Sequence, residues 1–100
     1  MTAHLIVRAQ LKDARDKEPF DRWYGEKHLP EAVAASLPIR AWRGWTGLIH
    51  IAFYEYADAA GAEAALQLFA DKGLRSDYDT NWGARAPRTR EIVTTSQMVP

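Results

Sequence analysis

The densest chemistry in the sequence lies between Phe20 and Glu31, in the stretch FDRWYGEKHLPE. On an α-helix, Phe20, Tyr24 and His28 share one stripe, with Glu31 three residues further on. Phe20 and Trp23 fit a hydrophobic core, as aromatic stripes at this spacing usually do. His28 is different. It sits at a helix end disrupted by Pro30, on the stripe that faces the protein. With an intrinsic pKa of roughly 6.5, it is the side chain best suited to moving protons near neutrality. Two roles are open to it: a structural histidine donating to a carbonyl freed by the proline, or a general acid/base. Carbonyls at a helix C-terminus favour the imidazolium, and burial among apolar groups favours the neutral base.

Other polar residues carry weaker signals. His50 lies mid-strand, on the side of Leu48, Ala52, Tyr54 and Tyr56. It reads as a sheet histidine at an interface or as a second polar group in a pocket. Arg8 either reaches solvent or meets an anionic group, and His4, near the terminus, is expected to be exposed. Arg85, Arg88 and Arg90 form a small basic run, either a solvated face or an anion-binding rim. The three histidines show no metal-ligand spacing, and Asp77-x-Asp79 has no evident further ligand, so no metal is expected. The chain has no phosphate-binding glycine loop, nucleophile elbow or dinucleotide fingerprint.

Composition narrows the classes further. The 100 residues carry 13 basic and 13 acidic side chains, a net charge of zero, and no cysteine. Thiolate nucleophiles, cysteine-based zinc sites and disulfide scaffolds are excluded. A neutral chain has no general electrostatic pull toward nucleic acid or an anionic membrane. No apolar run approaches the roughly 18 residues of a membrane span. MTAHLIVRAQLKD is too short and interrupted for a signal peptide, and a cytoplasmic location is expected.

These side chains need a scaffold, and the hydrophobic pattern supplies one over residues 1–100, read as a single domain. His4 to Leu11 alternates as a strand. A helix starts near Pro19, and a kink or break is expected near His28-Leu29 because Pro30 cannot continue the hydrogen-bond ladder. A further helical stretch covers Glu31 to Ser36. Ile39 to Trp45 reads as a second strand and Leu48 to Tyr56 as a third. Asp58 is a candidate N-cap for a helix through Ala62, Ala65, Leu66 and Phe69, which Gly73 terminates. Leu74, Tyr78 and Trp82 suggest a short extra helix, Asn81 to Pro87 a loop, and Glu91 to Val99 a final strand.

The order β-α-β-β-α-β implies an α+β, ferredoxin-like fold: a four-stranded antiparallel sheet with the helices on one face. The third strand is almost continuously apolar and so should be buried on both faces. Two helices cover only one, so a second copy of the chain is the simplest cover for the other. Ala52 is taken as an outward residue of that strand. RNA-recognition modules share the chain order, but their glycine and basic pattern is missing here, and the first strand, HLIVRAQL, has no stacking aromatics.

FDRWYGEKHLPE also resembles the first-helix signature of the EthD-like branch of the dimeric α+β barrel superfamily, in which a Trp-Tyr or Tyr-Trp pair precedes a His and a Pro. The aromatic second strand, the FYEYAD end of the third, the Ala-rich second helix and RTREIV in the last strand match the same layout. The resemblance implies a homodimer whose two sheets pack into a shared barrel, with a cavity between sheet and helices in each chain. Relatives include cofactor-free monooxygenases, muconolactone-type isomerases, polyketide cyclases and haem-dependent enzymes. In methylisomerase-like members the histidine of this motif is an acid/base group, and His28 matches it. Those enzymes also rely on cysteine, which this chain lacks.

The expectation is a small cofactor-free enzyme acting by proton transfer on an apolar ring or lactone-like metabolite. His28 is the acid/base. Tyr24, Trp42, His50, Tyr54, Tyr78 and Trp82 are candidate walls of a pocket expected to reach about 300 Å³. Trp42 is included on one of two possible strand registers, and Tyr54 or Tyr78 is the candidate holder of an enolate oxygen. The alternatives are a non-catalytic ligand-binding or interaction protein, and a haem protein with His28 or His50 as axial ligand.

Overall fold

A computed structural model describes residues 1–100. Four strands, β1 (Ala3–Gln10), β2 (Arg40–Thr46), β3 (Ile49–Tyr56) and β4 (Arg88–Thr94), form an antiparallel sheet in the order β2-β3-β1-β4. Alternation in β1 buries Leu5, Val7 and Ala9 beneath the helices, while Arg8 and Gln10 are exposed on the outer face. The register pairs Val7 with both Ala52 and Arg90, and Ala52 with Arg43. Side chains directly opposite share a face, so these four all point toward the helices.

Near His28-Leu29, where a kink or break is expected, the helix is distorted but does not break. The backbone stays helical from α1 (Lys17–Trp23) through a π-helical turn (Tyr24–His28) into α2 (Leu29–Ser36). In that turn the Leu29 N–H reaches the Tyr24 carbonyl, a five-residue span. Pro30 then falls in the first turn of α2, where its missing N–H costs little. Single π-turns of this kind concentrate at functional sites. α2 ends on Leu37 in the left-handed conformation, φ 49°.

The remaining helices are α3 (Ala59–Asp71) and α4 (Leu74–Trp82). Asp58 caps α3 as expected, its carboxylate accepting from the Gly61 N–H at 2.8 Å. Gly73 separates the two helices at φ 78°. β4 begins at Arg88, three residues before the expected start, and ends at Thr94. The core forms between helices and sheet around Phe20, Tyr54, Tyr78 and Leu5, all essentially inaccessible.

The two faces of β3 differ. His50, Ala52, Tyr54 and Tyr56 are buried under the helices, whereas Ile49, Ile51 and Phe53 on the outer face are only half-buried. Ala52 is therefore an inward residue, and Ile51 and Phe53 are the outward ones. Trp42 stacks on Phe53 at 5.2 Å and is 40% exposed. Arg8 pairs with Glu91 on the same outer face. His4 is not free as expected: its Nε2 lies 2.9 Å from Glu55, which Arg40 also contacts.

Candidate functional site

The π-turn sets the site. It presents Tyr24 and His28 inward from one helical stretch, both buried. The Tyr24 and His28 rings lie 4.8 Å apart, and the Trp23 indole stacks on His28 at 5.1 Å. Across from them the Tyr54 phenol, carried by β3, meets the Tyr24 phenol at 3.0 Å between oxygens. A cavity opens beside these groups. Val7, Leu66, Phe69 and Leu74 form its apolar lining, and Arg75, Arg88 and Arg90 also face it. Its volume is about 20 Å³, enough for about one water. The pocket of about 300 Å³ expected from the aromatic content is thus closed in this conformation, and either a ring substrate or a porphyrin would require its walls to part.

Electrostatics makes His28 a base. Burial, reinforced by the positive charge of Arg88 and opposed by Asp77, pushes its pKa down to about 4. The ring is neutral at pH 7, so burial prevails over any helix-end attraction for the imidazolium. Its Nδ1 is buried and has no hydrogen-bond partner, so that nitrogen does not cap the helix carbonyls. The only other such atom in the protein is Nε of Arg75, on the same cavity. Burial also raises the phenols of Tyr24 and Tyr54 above the ordinary tyrosine range. Both remain protonated donors.

His50 is held differently. Nη1 of Arg43 donates to its Nε2 at 3.2 Å, and because arginine cannot accept, Nε2 must be the unprotonated acceptor. Burial first and Arg43 second push this histidine down to about 4 as well. Arg43 is fixed in turn by Asp21, which accepts from Nη1 at 2.8 Å and from the Trp45 indole N–H at 2.8 Å. The guanidinium passes so close to Gly25 that a Cβ there would lie 2.7 Å from Nη2 and would have to displace it.

Of the residues expected in the site, His28, Tyr24 and Tyr54 line the cavity. His50 touches it only through Tyr24, with ring centres 4.3 Å apart. Tyr78 packs edge-on to His28 at 5.7 Å, and its hydroxyl donates to the Ala86 carbonyl at 2.7 Å. Of the two, Tyr54 rather than Tyr78 is among the residues that line the cavity. Trp82 packs on Phe20 at 5.1 Å, away from the cavity lining. Trp42 follows the other of its two registers and sits on the outer face, as its pairing with Phe53 requires. The sequence reading did not single out Asp21, Arg43, Trp45 or Arg75. Only the pairing of β2 with β3 brings Arg43 and Trp45 to the helix side.

Solved structures share this fold along nearly the whole chain. An EthD family protein from Bacillus halodurans superposes with a TM-score of 0.72 at 18% identity, covering 95% of this chain and 99% of that one. The fold is thus α+β and ferredoxin-like, as in that protein. The same fold is seen in SnoaB, a cofactor-independent oxygenase from Streptomyces nogalater, with a TM-score of 0.71, 16% identity, and coverage of 99% of this chain and 97% of that one. A dimeric ferredoxin-like protein from an uncultured marine organism gives a TM-score of 0.69 at 18% identity over 98% of each chain. No protein-family model and no curated protein sequence matches the chain.

Proposed function

We propose that the protein is a small enzyme that transfers a proton to or from an apolar ring or lactone-like molecule, with His28 as the acid/base and no cofactor required. One observation carries this reading: a neutral, buried imidazole with a free Nδ1 faces a cavity shared with the Tyr24–Tyr54 hydroxyl pair. A base of this kind takes a proton from a carbon next to a carbonyl. The Tyr54 hydroxyl then donates to the enolate oxygen, an interaction stronger in the transition state than in the ground state. Tyr24, packed between the tilted rings of His28 and His50, orients both the base and the second phenol. The oxygenase SnoaB, which shares the fold and needs no cofactor, supports cofactor-independent chemistry in such a scaffold.

The active form in this reading is a homodimer. Ile6, Ile49, Ile51, Phe53, Trp42 and Val93 leave the outer sheet face apolar and uncovered in one chain. The dimeric ferredoxin-like neighbour supports covering it with a second copy.

The closed cavity favours a second reading, a non-catalytic protein that binds a small ligand or none. His28→Asn separates the two on a substrate found by screening lactones and hydroxylated aromatics. Loss of a general acid/base lowers the rate about 10²–10⁴-fold while the melting temperature stays within a few degrees. Turnover unchanged in His28→Asn would discard the catalytic role.

A further inference from the structure

The cavity beside His28 holds an excess of positive charge. Arg75 comes from α4, and Arg88 and Arg90 come from successive inward positions of β4, yet all three line the same small space. No carboxylate lines it. The nearest acid is Asp79, 4.0 Å from Arg88 and largely exposed, and neither Arg75 nor Arg90 has an ion-pair partner. Arg88 is deeply placed, with its side chain 10% exposed and its guanidinium 3.7 Å from the centre of the Tyr78 ring. Folding has therefore gathered three guanidinium groups around one space with little to neutralise them. Arg75 and Arg88 are partly buried and Arg90 is exposed, and like charges gathered this closely repel one another, so the arrangement is explained most simply by an anion that completes it.

Two further features agree. The two residues that carry orphaned buried nitrogens, Arg75 at Nε and His28 at Nδ1, both line this cavity. Burial and the neighbouring Arg90 both work against the charge on Arg88, pushing its pKa down, the signature of a site waiting for a negative partner. By contrast, Arg85 points elsewhere, to Asp16 and the Asn81 carbonyl, so the basic run of the sequence divides into a solvated member and two inward ones.

We propose that Arg75, Arg88 and Arg90 form a carboxylate-binding site adjoining His28, so that the ligand of this cavity is a ring-bearing carboxylate rather than a neutral ring. The planar guanidinium fork matches a carboxylate in a bidentate manner. The proposal deepens the proton-transfer reading and rests on it for the position of the reacting carbon, which a carboxylate anchored on the arginines would hold near the imidazole.

The test uses benzoate and its neutral analogue benzamide as probes, titrated into the intact protein at constant ionic strength. Binding is followed by calorimetry and by the NMR signals of the arginine Nε–H groups and histidine rings. Benzoate is expected to bind at least tenfold more tightly than benzamide and to shift the Arg75 Nε–H and His28 ring signals. Arg75→Gln and Arg88→Gln should each weaken benzoate at least tenfold. Arg88→Lys, which keeps the charge but loses the fork, should fall between, and Arg22→Gln on the surface should change nothing. Equal affinity for the two probes, or benzoate binding that survives both glutamine variants in folded protein, would overturn the proposal. Neither result touches the His28 reading, whose failure shows separately as turnover unchanged in His28→Asn with benzoate binding intact.

Discussion

The phenol oxygens of Tyr24 and Tyr54 lie 3.0 Å apart in the centre of the protein, one on the π-turn and the other on β3. Only one of them can donate in that bond. The other hydroxyl keeps its proton for a neighbour, and the cavity is the space beside it.

Tyr24→Phe and Tyr54→Phe should each cost about 1–2 kcal/mol, because each leaves a buried hydroxyl without its partner or removes one. The double variant should cost clearly less than the sum, since the second change no longer breaks a bond. Denaturant unfolding of the four proteins measures this. Additive costs would mean the pair is not coupled.

Stability should fall on mild acidification. Both His28 and His50 are held at about 4 by burial, below the ordinary histidine value. Between roughly 6.5 and 4 the unfolded chain therefore binds protons that the folded chain excludes, so stability is full above the unfolded value and declines as the pH drops through this window. The loss at its acid end is on the order of 2–3 kcal/mol per histidine. A melting temperature lower at pH 5 than at pH 7, together with no titration of the His28 and His50 rings by NMR between pH 6 and 8, is the expected result. A His28 ring titrating near its ordinary value would refute it.

A charge on the outer face should separate the two copies of the dimer. Ile51→Asp or Phe53→Asp introduces a carboxylate among Ile49, Trp42 and Ile6 without touching the helix-side core. The variants should sediment as folded monomers, whereas the parent should sediment at twice the chain mass, with an interface of the roughly 2,000 Å² class. Ala52→Asp should behave differently and unfold the chain, because Ala52 is fully buried under the helices. Parent protein sedimenting as a monomer at micromolar concentration would remove the dimer.

Two helix ends close in the left-handed conformation, one through Gly73 at φ 78° and one through Leu37 at φ 49°. Gly73→Ala should lose about 1 kcal/mol, since a Cβ is strained there. Leu37→Gly should gain about 0.5–1 kcal/mol, because Leu37 is 80% exposed and loses strain while giving up little packing. Opposite shifts in thermal melts are expected, and shifts of the same sign would contradict the assigned conformations.

The strands were legible wherever polar and apolar residues alternate, as in β1, and the α3 cap was legible in Asp58. β2 was harder. Its sequence Arg40-Ala41-Trp42-Arg43-Gly44-Trp45 puts a tryptophan and an arginine on each face, so alternation could not say which tryptophan points inward. The inward one proved to be Trp45. The start of β4 is hidden because Arg88-Thr89-Arg90 is polar and reads as loop, although two of the three residues face the core side. His28, Tyr24 and Tyr54 could be found because they are aromatic or titratable and sit on clear periodicities. Arg75 could not, since it lies more than ten residues from its partners in the chain and joins them only when α4 packs against the sheet.

The wide turn at Tyr24–His28 also fixes the angular phase of everything that follows it. An α-helix advances about 100° per residue, and this turn takes in one residue more than an α-turn would. Ala32 lies inward in α2 only because the turn is wide: an ordinary α-turn over the same residues would rotate everything after it by about one residue's worth of arc and carry Ala32 out of the core. Deleting one residue, such as Gly25, would remove the surplus together with the wide turn and leave α2 in phase. The turn thus behaves as an absorbed insertion, in which the flanking helix tolerates a change of length that the placement of Tyr24 and His28 within the turn does not.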